Sequence, residues 1–262
     1  MILRRVIQHV RRQEWTAIWI DLVIVVVGVF IGIQVSNWNA KRATDRQAII
    51  FTERLRADLL IEAWTYEYLI AYYGEVSSNA ERALAALEGR SDASNEQLLI
   101  SSYRATQFNL GAKRRATYDE MRSTGTLGLV TNAALRDAAA LVYAAGLTDL
   151  VDNQTLGSRY REAFRMRVPV NVQSALGEQC GDRFVPIGDF AQLTGSLEYP
   201  CSTGLAQDVI DTAANALRTD QTIVPLLRLR ISDVKTVIGN QVTSNQDARQ
   251  ALQAVVKANP PP

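Results

Sequence analysis

Ala17 to Val35 reads AIWIDLVIVVVGVFIGIQV, and this stretch decides the architecture of the chain. At about 1.5 Å of rise per residue it covers roughly 28 Å as a helix, close to the hydrocarbon thickness of a bilayer. Nothing comparable follows, so the expectation is one membrane span with everything after Trp38 on a single side. Trp15, Trp19 and Trp38, three of the four tryptophans, bracket the stretch as residues of a membrane–water interface do.

Upstream, Met1 to Glu14 carries Arg4, Arg5, Arg11 and Arg12, with Glu14 its single acid. On a helical wheel Leu3, Val6, Ile7 and Val10 share one face and the arginines the other, the pattern of a helix lying among lipid headgroups. Each arginine near anionic lipid contributes about 1 kcal/mol, which favours a cytoplasmic N-terminus. Lys41, Arg42 and Arg46 after the span weaken that bias without reversing it. A cleaved signal peptide is the competing reading. Against it stand the length of the apolar run, Asp21 inside it, and the following SNWNAKRATD, which has no small-x-small cleavage site. An uncleaved signal anchor over residues 15–38 is the expectation.

Within the span, Gly28, Gly32 and Ser36 form a small-xxx-small series that lets another helix approach closely. Asp21 is seven residues before Gly28 and shares its face. A carboxylate inside the bilayer costs about 2.5 to 3.5 kcal/mol on insertion scales unless it is protonated, paired or wetted. One reading makes this face a docking seam for an integral membrane protein or a second copy of the chain. The other places Asp21 among the cytoplasmic headgroups, with a short apolar core from Leu22 to Trp38.

Composition narrows the remainder. The chain has 28 Lys and Arg, 27 Asp and Glu and one His, for a formal charge of +1. With the prefix and span set aside, residues 39–262 are close to neutral. That excludes the cationic density on which nucleic-acid binding depends. Lys113, Arg114 and Arg115 are the one local basic run, read as a solvated helix face. The single histidine is His9, in the prefix. Without an imidazole, the large domain lacks the elements of Ser-His-Asp or Cys-His catalysis and of most zinc, copper or haem sites. No Gly-rich nucleotide loop or EF-hand pattern occurs. We therefore expect no catalytic, metal or cofactor-binding residues. An envelope hydrolase built on two carboxylates, Asp119 with Glu120 or Asp182 with Asp189, is retained as a minor alternative.

Cys180 and Cys201 are the two cysteines, at the ends of CGDRFVPIGDFAQLTGSLEYPC. In an oxidising compartment an isolated pair forms a disulfide, which would pin an irregular loop over residues 177–203. Two buried thiols are the other reading, favoured if the orientation is reversed.

Residues 39–259 read as one helical domain. Phe51, Leu55, Leu59, Tyr66, Leu69 and Tyr73 recur at three-, four- and seven-residue spacings, with no Gly or Pro from Trp38 to Tyr73. The membrane helix should continue directly into this pattern. Trp64, Tyr66, Tyr68, Tyr72 and Tyr73 concentrate aromatics, which we read as core before ligand cage. A break at Gly89 to Ala93 precedes a capping box at Ser94 and Gln97. Gly125 is the expected left-handed stop of another helix, and Thr131 or Asn132 the start of the next, extending with an interruption near Gly146 toward Arg167. After Pro169 and the cysteine loop come a helix over Leu205 to Leu217 and a seam of Leu227, Ile231, Val234, Ile238 and Val242. The NPPP ending cannot continue a helix, leaving a Pro tail at 260–262. No alternating strand pattern appears. The expected fold is all-α, an N-terminal transmembrane helix running into an antiparallel helical bundle with a disulfide-closed loop.

DLVIVVVGVFIGIQVSNWN at Asp21 to Asn39 resembles the opening of a family of bacterial single-span membrane proteins known only as a domain of unknown function. TYDEMRSTGTLGLVTNAALRDAAALVY at Thr117 to Tyr143 is similar to that family's central pattern, a helix, a Ser-Thr-Gly break and a helix opening near Asn-x-x-Leu-Arg. LRADL at Leu55 to Leu59 adds to the likeness, which covers the first 145 residues. It implies a bacterial envelope protein and brings no catalytic residues. Asn37-Trp38-Asn39 looks specific to the family. Ser123, Thr124 and Gly125 could serve as a recognition loop, although a helix cap accounts for them.

Two functions are then in view. The first is a non-catalytic accessory or scaffold subunit in the inner membrane, docked through Asp21, Gly28, Gly32 and Ser36, with its prefix on anionic lipid and its large domain in the periplasm. The second is a periplasmic sensor or ligand-binding module with a pocket near Trp64 to Tyr73, acting through a membrane partner.

Overall fold

Every segment of regular structure among the described residues of the computed structural model is helical. Those residues are 15–111, 114–144 and 157–259. The arginine prefix with His9, Lys113 of the basic run, the interruption anticipated near Gly146 and the Pro tail lie outside them. Helix α1 is Trp15–Leu87, followed by α2 Asn95–Ala105, α3 Ala116–Ser123, a 3₁₀ turn at Leu127–Leu129 and α4 Ala133–Ala144. Then come α5 Arg159–Arg167, α6 Val170–Cys180, α7 Gln207–Thr219, α8 Ile223–Gly239, a π turn at Asn240–Ser244 and α9 Gln246–Ala258. The chain divides into two units, one running to Glu53 and including Gly128–Thr131, the other comprising Arg54–Leu127 and the residues from Asn132 onward.

The first unit contains the apolar part of α1. Leu22, Val25, Val26, Val29, Phe30, Ile31 and Ile33 are each more than half exposed, a continuous apolar surface unsuited to water. This is the one helix among the described residues long and apolar enough to cross a membrane.

In the second unit α1 is buried on all sides around Glu62–Tyr66. Glu62, Ala63, Trp64, Thr65 and Tyr66 are consecutive and all buried. Five successive helical residues point in every direction around the axis, so α1 is a central helix here rather than an amphipathic one. Leu55, Leu59, Tyr66, Leu69 and Tyr73, the periodic positions of the sequence, are buried as expected.

Two apolar clusters surround this helix. One gathers Leu98 and Leu99 of α2, Tyr160 and Phe164 of α5, Leu176 of α6, Leu217 of α7 and Leu227 of α8 against Ala80 and Ala83. The other joins Trp64, Tyr68, Tyr72, Tyr73 and Val76 to Leu197, Val234 and Val237. α8 packs on α5, α7 on α2, and α9 on α4.

Local signals explain the helix ends. Ser94 Oγ accepts from the Gln97 N–H and Gln97 Oε1 from the Ser94 N–H, completing the capping box. Asn132 Oδ1 accepts from the Leu135 N–H at 3.1 Å, choosing Asn132 over Thr131 as the cap of α4. Gly125 has φ +70 just beyond α3, the left-handed stop anticipated. Gly111 is required by space as well: at φ +69, a Cβ there would meet Thr65 Cγ2 at 2.7 Å. The C-terminus of α2 is covered by arginine. Arg230, buried in α8, donates to the Ala105 carbonyl at 3.2 Å and the Gln107 carbonyl at 2.8 Å, opposite the negative end of the helix dipole.

Three boundaries differ from expectation. α6 runs to Cys180, so the irregular segment starts at Gly181, not at residue 177. α7 lies at Gln207–Thr219, two residues later than read. The α8 seam also changes course at its end: Leu227, Ile231 and Val234 are buried and Ile238 packs partly buried beside Val237 against the second cluster, but Gln241 is buried in place of Val242, which is exposed. A π turn closed by the Asn245 N–H on the Asn240 carbonyl re-aims the chain there.

One ion pair fastens α9 to the central helix. Arg249 Nε and Nη2 donate to the two Glu67 oxygens at 2.8 and 2.7 Å, and Gln253 adds a third bond. Burial alone would raise the Glu67 carboxyl, but these donors outweigh it and hold the group below the usual carboxylate range. An acid depressed on folding contributes its stability above the ordinary value near 4.5, and that contribution is lost as pH falls through the lower folded value. Glu67→Gln should therefore destabilise the full chain by about 1 to 2 kcal/mol near neutrality. In thermal melts the gap to the parent should close as the pH is lowered below that range; a gap independent of pH would disprove the assignment.

Candidate functional site

Two regions, one in each unit, have the geometry to engage something else. In the first unit, Asp21, Gly28, Gly32 and Ser36 share one face of α1, since seven, eleven and fifteen residues at 100° each return within about 60° of the start. A Cβ built on Gly28 or Gly32 meets nothing within 4 Å, so this face presents open backbone. Trp15, Trp19 and Trp38 are exposed. Arg42, one turn beyond Trp38, stacks its guanidinium 3.8 Å from the ring centroid. That cation–π contact couples a charged group to the Trp38 ring where the apolar run ends.

The second region is organised by the cysteine segment. Cys180 and Cys201 are bonded, with Cα atoms 5.6 Å apart. From Gly181 to Ala206 the chain has no helix or strand, so side chains of the surrounding helices must satisfy its backbone. Arg104 of α2 is buried and donates through Nε to the Cys180 carbonyl at 3.0 Å and through Nη2 to the Tyr199 carbonyl at 3.1 Å. The same Nη2 lies 3.3 Å from Cys201 Sγ. Tyr199 lies between two cations, Arg183 at 3.6 Å and Arg104 at 4.4 Å from its centroid.

Glu75 of α1 accepts from three backbone N–H groups, those of Gly195, Leu197 at 2.6 Å and Glu198 at 3.2 Å. Glu96 accepts from the Thr203 N–H and hydroxyl, both at 2.7 Å, and from Ser202, which hold its carboxyl below the usual range. Trp64 donates to the Asp189 carbonyl at 2.9 Å. One buried guanidinium and one buried carboxylate thus do for this segment what a sheet ladder does elsewhere.

Beside the cystine opens a cleft of about 510 Å³, within the size range of small-molecule sites. Ala85 and Ala86 of α1, Leu98 of α2, Pro200 and Cys201 form its apolar walls; Arg82, Gln97, Ser101, Arg104 and Glu198 bring polar atoms to it. The aromatic group from Trp64 to Tyr73 does not line it. Those rings are core: Trp64 stacks on Tyr68 at 4.8 Å, and Tyr72 packs edge-on to Tyr73. Their hydroxyls are used internally, Tyr66 on the Gln241 carbonyl and Tyr73 on that of Asn109. Burial pushes the Tyr66 phenol up to about 12, so it remains a donor at physiological pH.

The four carboxylates retained for hydrolysis each have a structural partner. Asp119 pairs with Arg115 and Glu120 with Arg54 in exposed ion pairs. Asp182, exposed as a residue, receives the buried Tyr72 hydroxyl at 3.0 Å, and loss of water at that contact raises its carboxyl above the usual range. Asp189 Oδ1 accepts from the Ala191 N–H. Among the described residues no group of three or more His, Cys, Asp or Glu is placed to hold a metal ion.

The chain belongs to the family of unknown function DUF6090, whose model matches residues 21–160. That match begins at Asp21 and includes both the apolar half of α1 and the Ser-Thr-Gly break. No curated protein and no solved structure matches the chain. The cysteine segment, residues 181–206, lies beyond the family match, and so do Glu198 to Cys201 of the cleft, whose other walls fall within it.

Arg104 and the cystine hold the same segment, and their energetics should be coupled. Replacing both cysteines by alanine should cost about 3 kcal/mol, and Arg104→Met a similar amount by leaving buried carbonyls unpaired. In denaturant unfolding of the full chain, the triple variant should fall short of additivity by about 1 kcal/mol. Strict additivity would mean that the guanidinium and the disulfide stabilise separate structures.

Proposed function

We propose that this protein is a non-catalytic accessory subunit of the bacterial inner membrane. It is anchored by residues 15–38 with its N-terminus cytoplasmic, and it holds its second unit in the periplasm. The observation that carries this reading is the pairing of one exposed apolar helix with a disulfide in the other unit. The disulfide calls for an oxidising compartment, and the arginine-rich prefix favours the cytoplasmic leaflet, where anionic lipid would hold it. We read the helices of the second unit as an antiparallel bundle, in which the pairings of α8 with α5 and α7 with α2 would be the main contacts.

Docking occurs through the face of Asp21, Gly28, Gly32 and Ser36, on an integral membrane protein or a second copy of the chain. In lipid, helices gain little from apolarity alone, and close backbone approach at small residues supplies the packing. Asp21 gives the face its specificity, because a partner's polar group would relieve the cost of the carboxylate. The engagement of every candidate carboxylate in an internal contact supports a binding role over a hydrolytic one.

Affinity purification of the full-length chain in mild detergent, followed by native mass spectrometry, tests the reading. A stoichiometric membrane partner or a homodimer is expected. Gly28→Leu with Gly32→Leu should weaken the association about tenfold, equivalent to about 1.4 kcal/mol of lost packing. A monomer, or an association indifferent to the double substitution, would refute docking through this face.

A further inference from the structure

We infer that the cleft beside the Cys180–Cys201 disulfide binds a small organic oxyanion, a carboxylate or a phosphate monoester with a compact apolar body. This goes beyond the docking role and does not depend on it, since cleft and membrane helix belong to different units. The argument is one of charge, unused donors and shape.

Two guanidinium groups, Arg82 and Arg104, line the cleft against a single carboxylate, Glu198. Arg104 is the fixed charge. Its Nε and Nη2 are committed to the Cys180 and Tyr199 carbonyls and to Cys201 Sγ, while Nη1 has no protein partner among the described residues. No carboxylate hydrogen-bonds to Arg104, although Asp182 lies within electrostatic reach of it. Arg82 is the movable charge. It pairs with Glu198, but both side chains are more than a third exposed, and an exposed pair contributes little and yields readily to a competing anion.

Neutral donors complete the set. Gln97 uses Oε1 in the capping box and leaves its amide N–H₂ unpaired, and Ser91 and Ser101 bring hydroxyls that bond nothing else among the described residues. An excess of donors over acceptors around two cations suits a ligand that is acceptor-only, which an ionised carboxylate or phosphate is. The alanine, leucine and proline walls then accept a small apolar group but no second charge. Cys201 and Tyr199 form part of the wall, so the cystine shapes the cleft as well as fixing the loop.

The test uses the oxidised full-length protein in detergent and titration calorimetry with four probes. These are phenyl phosphate, N-acetyl-leucine, inorganic phosphate and the neutral N-acetyl-leucinamide. Phenyl phosphate or N-acetyl-leucine should bind, with N-acetyl-leucinamide at least about tenfold weaker; which of the two binds more tightly assigns the headgroup. Inorganic phosphate should be weaker than phenyl phosphate because it leaves the apolar walls unfilled.

Glu198→Gln supplies the discriminating variant: it removes the competing anion and keeps an acceptor for Asn79. Affinity should rise several-fold, whereas a purely structural ion pair predicts no change. Arg82→Gln should weaken binding by a similar factor, and Ala85→Phe, which places a ring on the apolar wall of the cleft and keeps both arginines in the sequence, should abolish it. Absence of binding by either organic oxyanion to the parent and to Glu198→Gln up to about 10 mM would overturn the inference. So would binding that survives Ala85→Phe, because the oxyanion would then be held elsewhere.

Discussion

A long segment without regular structure must place every backbone N–H and C=O somewhere, and in the second unit that constraint governs much else. From Gly181 to Ala206 there is no ladder and no helix to take them. Each buried group left unpaired would cost about 1 to 3 kcal/mol, and structureless connections of this length are uncommon inside a folded domain. The helices answer with charged side chains: Glu75 collects three N–H groups, Arg104 two carbonyls, and Glu96 the turn at Ser202 and Thr203. Burying an ionised group is costly unless it is fully bonded. Here the loop backbone supplies the bonds, so the requirements of the charge and of the segment are met together.

The two halves of α1 show how one helical sequence serves opposite surroundings. Between Leu22 and Val35 the residues are apolar around the whole circumference and exposed. Between Glu62 and Tyr73 they are mixed and largely buried, with Glu, Thr and Tyr among Leu and Ala. Polar atoms are tolerated in the second stretch because each tyrosine hydroxyl reaches a specific acceptor. The first stretch offers no such acceptors and contains almost no polar side chain, as a helix long and apolar enough to cross a membrane would require.

Local and periodic features were legible in the sequence. The apolar run, the capping box at Ser94, the left-handed Gly125 and the helical spacing of Leu55, Leu59, Tyr66, Leu69 and Tyr73 each depend on residues within a few turns of one another. Features that depend on distant partners were not. Arg104 looks like any helix arginine until α6 and Tyr199 meet it, and Glu75 has no local sign of the three N–H groups it will accept. The π turn at Asn240–Ser244 inserts one residue into a helix and leaves no compositional mark, so the seam was carried straight on to Val242. The cleft was missed for the same reason. Its walls come from three separated segments, and the aromatic cluster that drew attention instead is core. The family match covers the walls from α1 and α2 but ends at residue 160, before Glu198 to Cys201 that close the cleft.

The cystine ties these levels together. Cys180 ends α6 and is fully buried in the larger apolar cluster, while Cys201 lies at the lip of the cleft. A bond between them fixes the cleft wall to the core, and Arg104 then bonds to both of its ends. Reduction would leave the segment held by the hydrogen bonds of Arg104, Glu75 and Glu96, with the chain-entropy stabilisation of about 3 kcal/mol removed. Tyr199, Pro200 and Cys201 would lose their covalent reference to the core, and the cleft would lose the wall that defines its width. The disulfide is thus part of what gives the cleft its shape. The same bond that links α6 to the cleft wall is the one that gives the second unit a formed surface beside it.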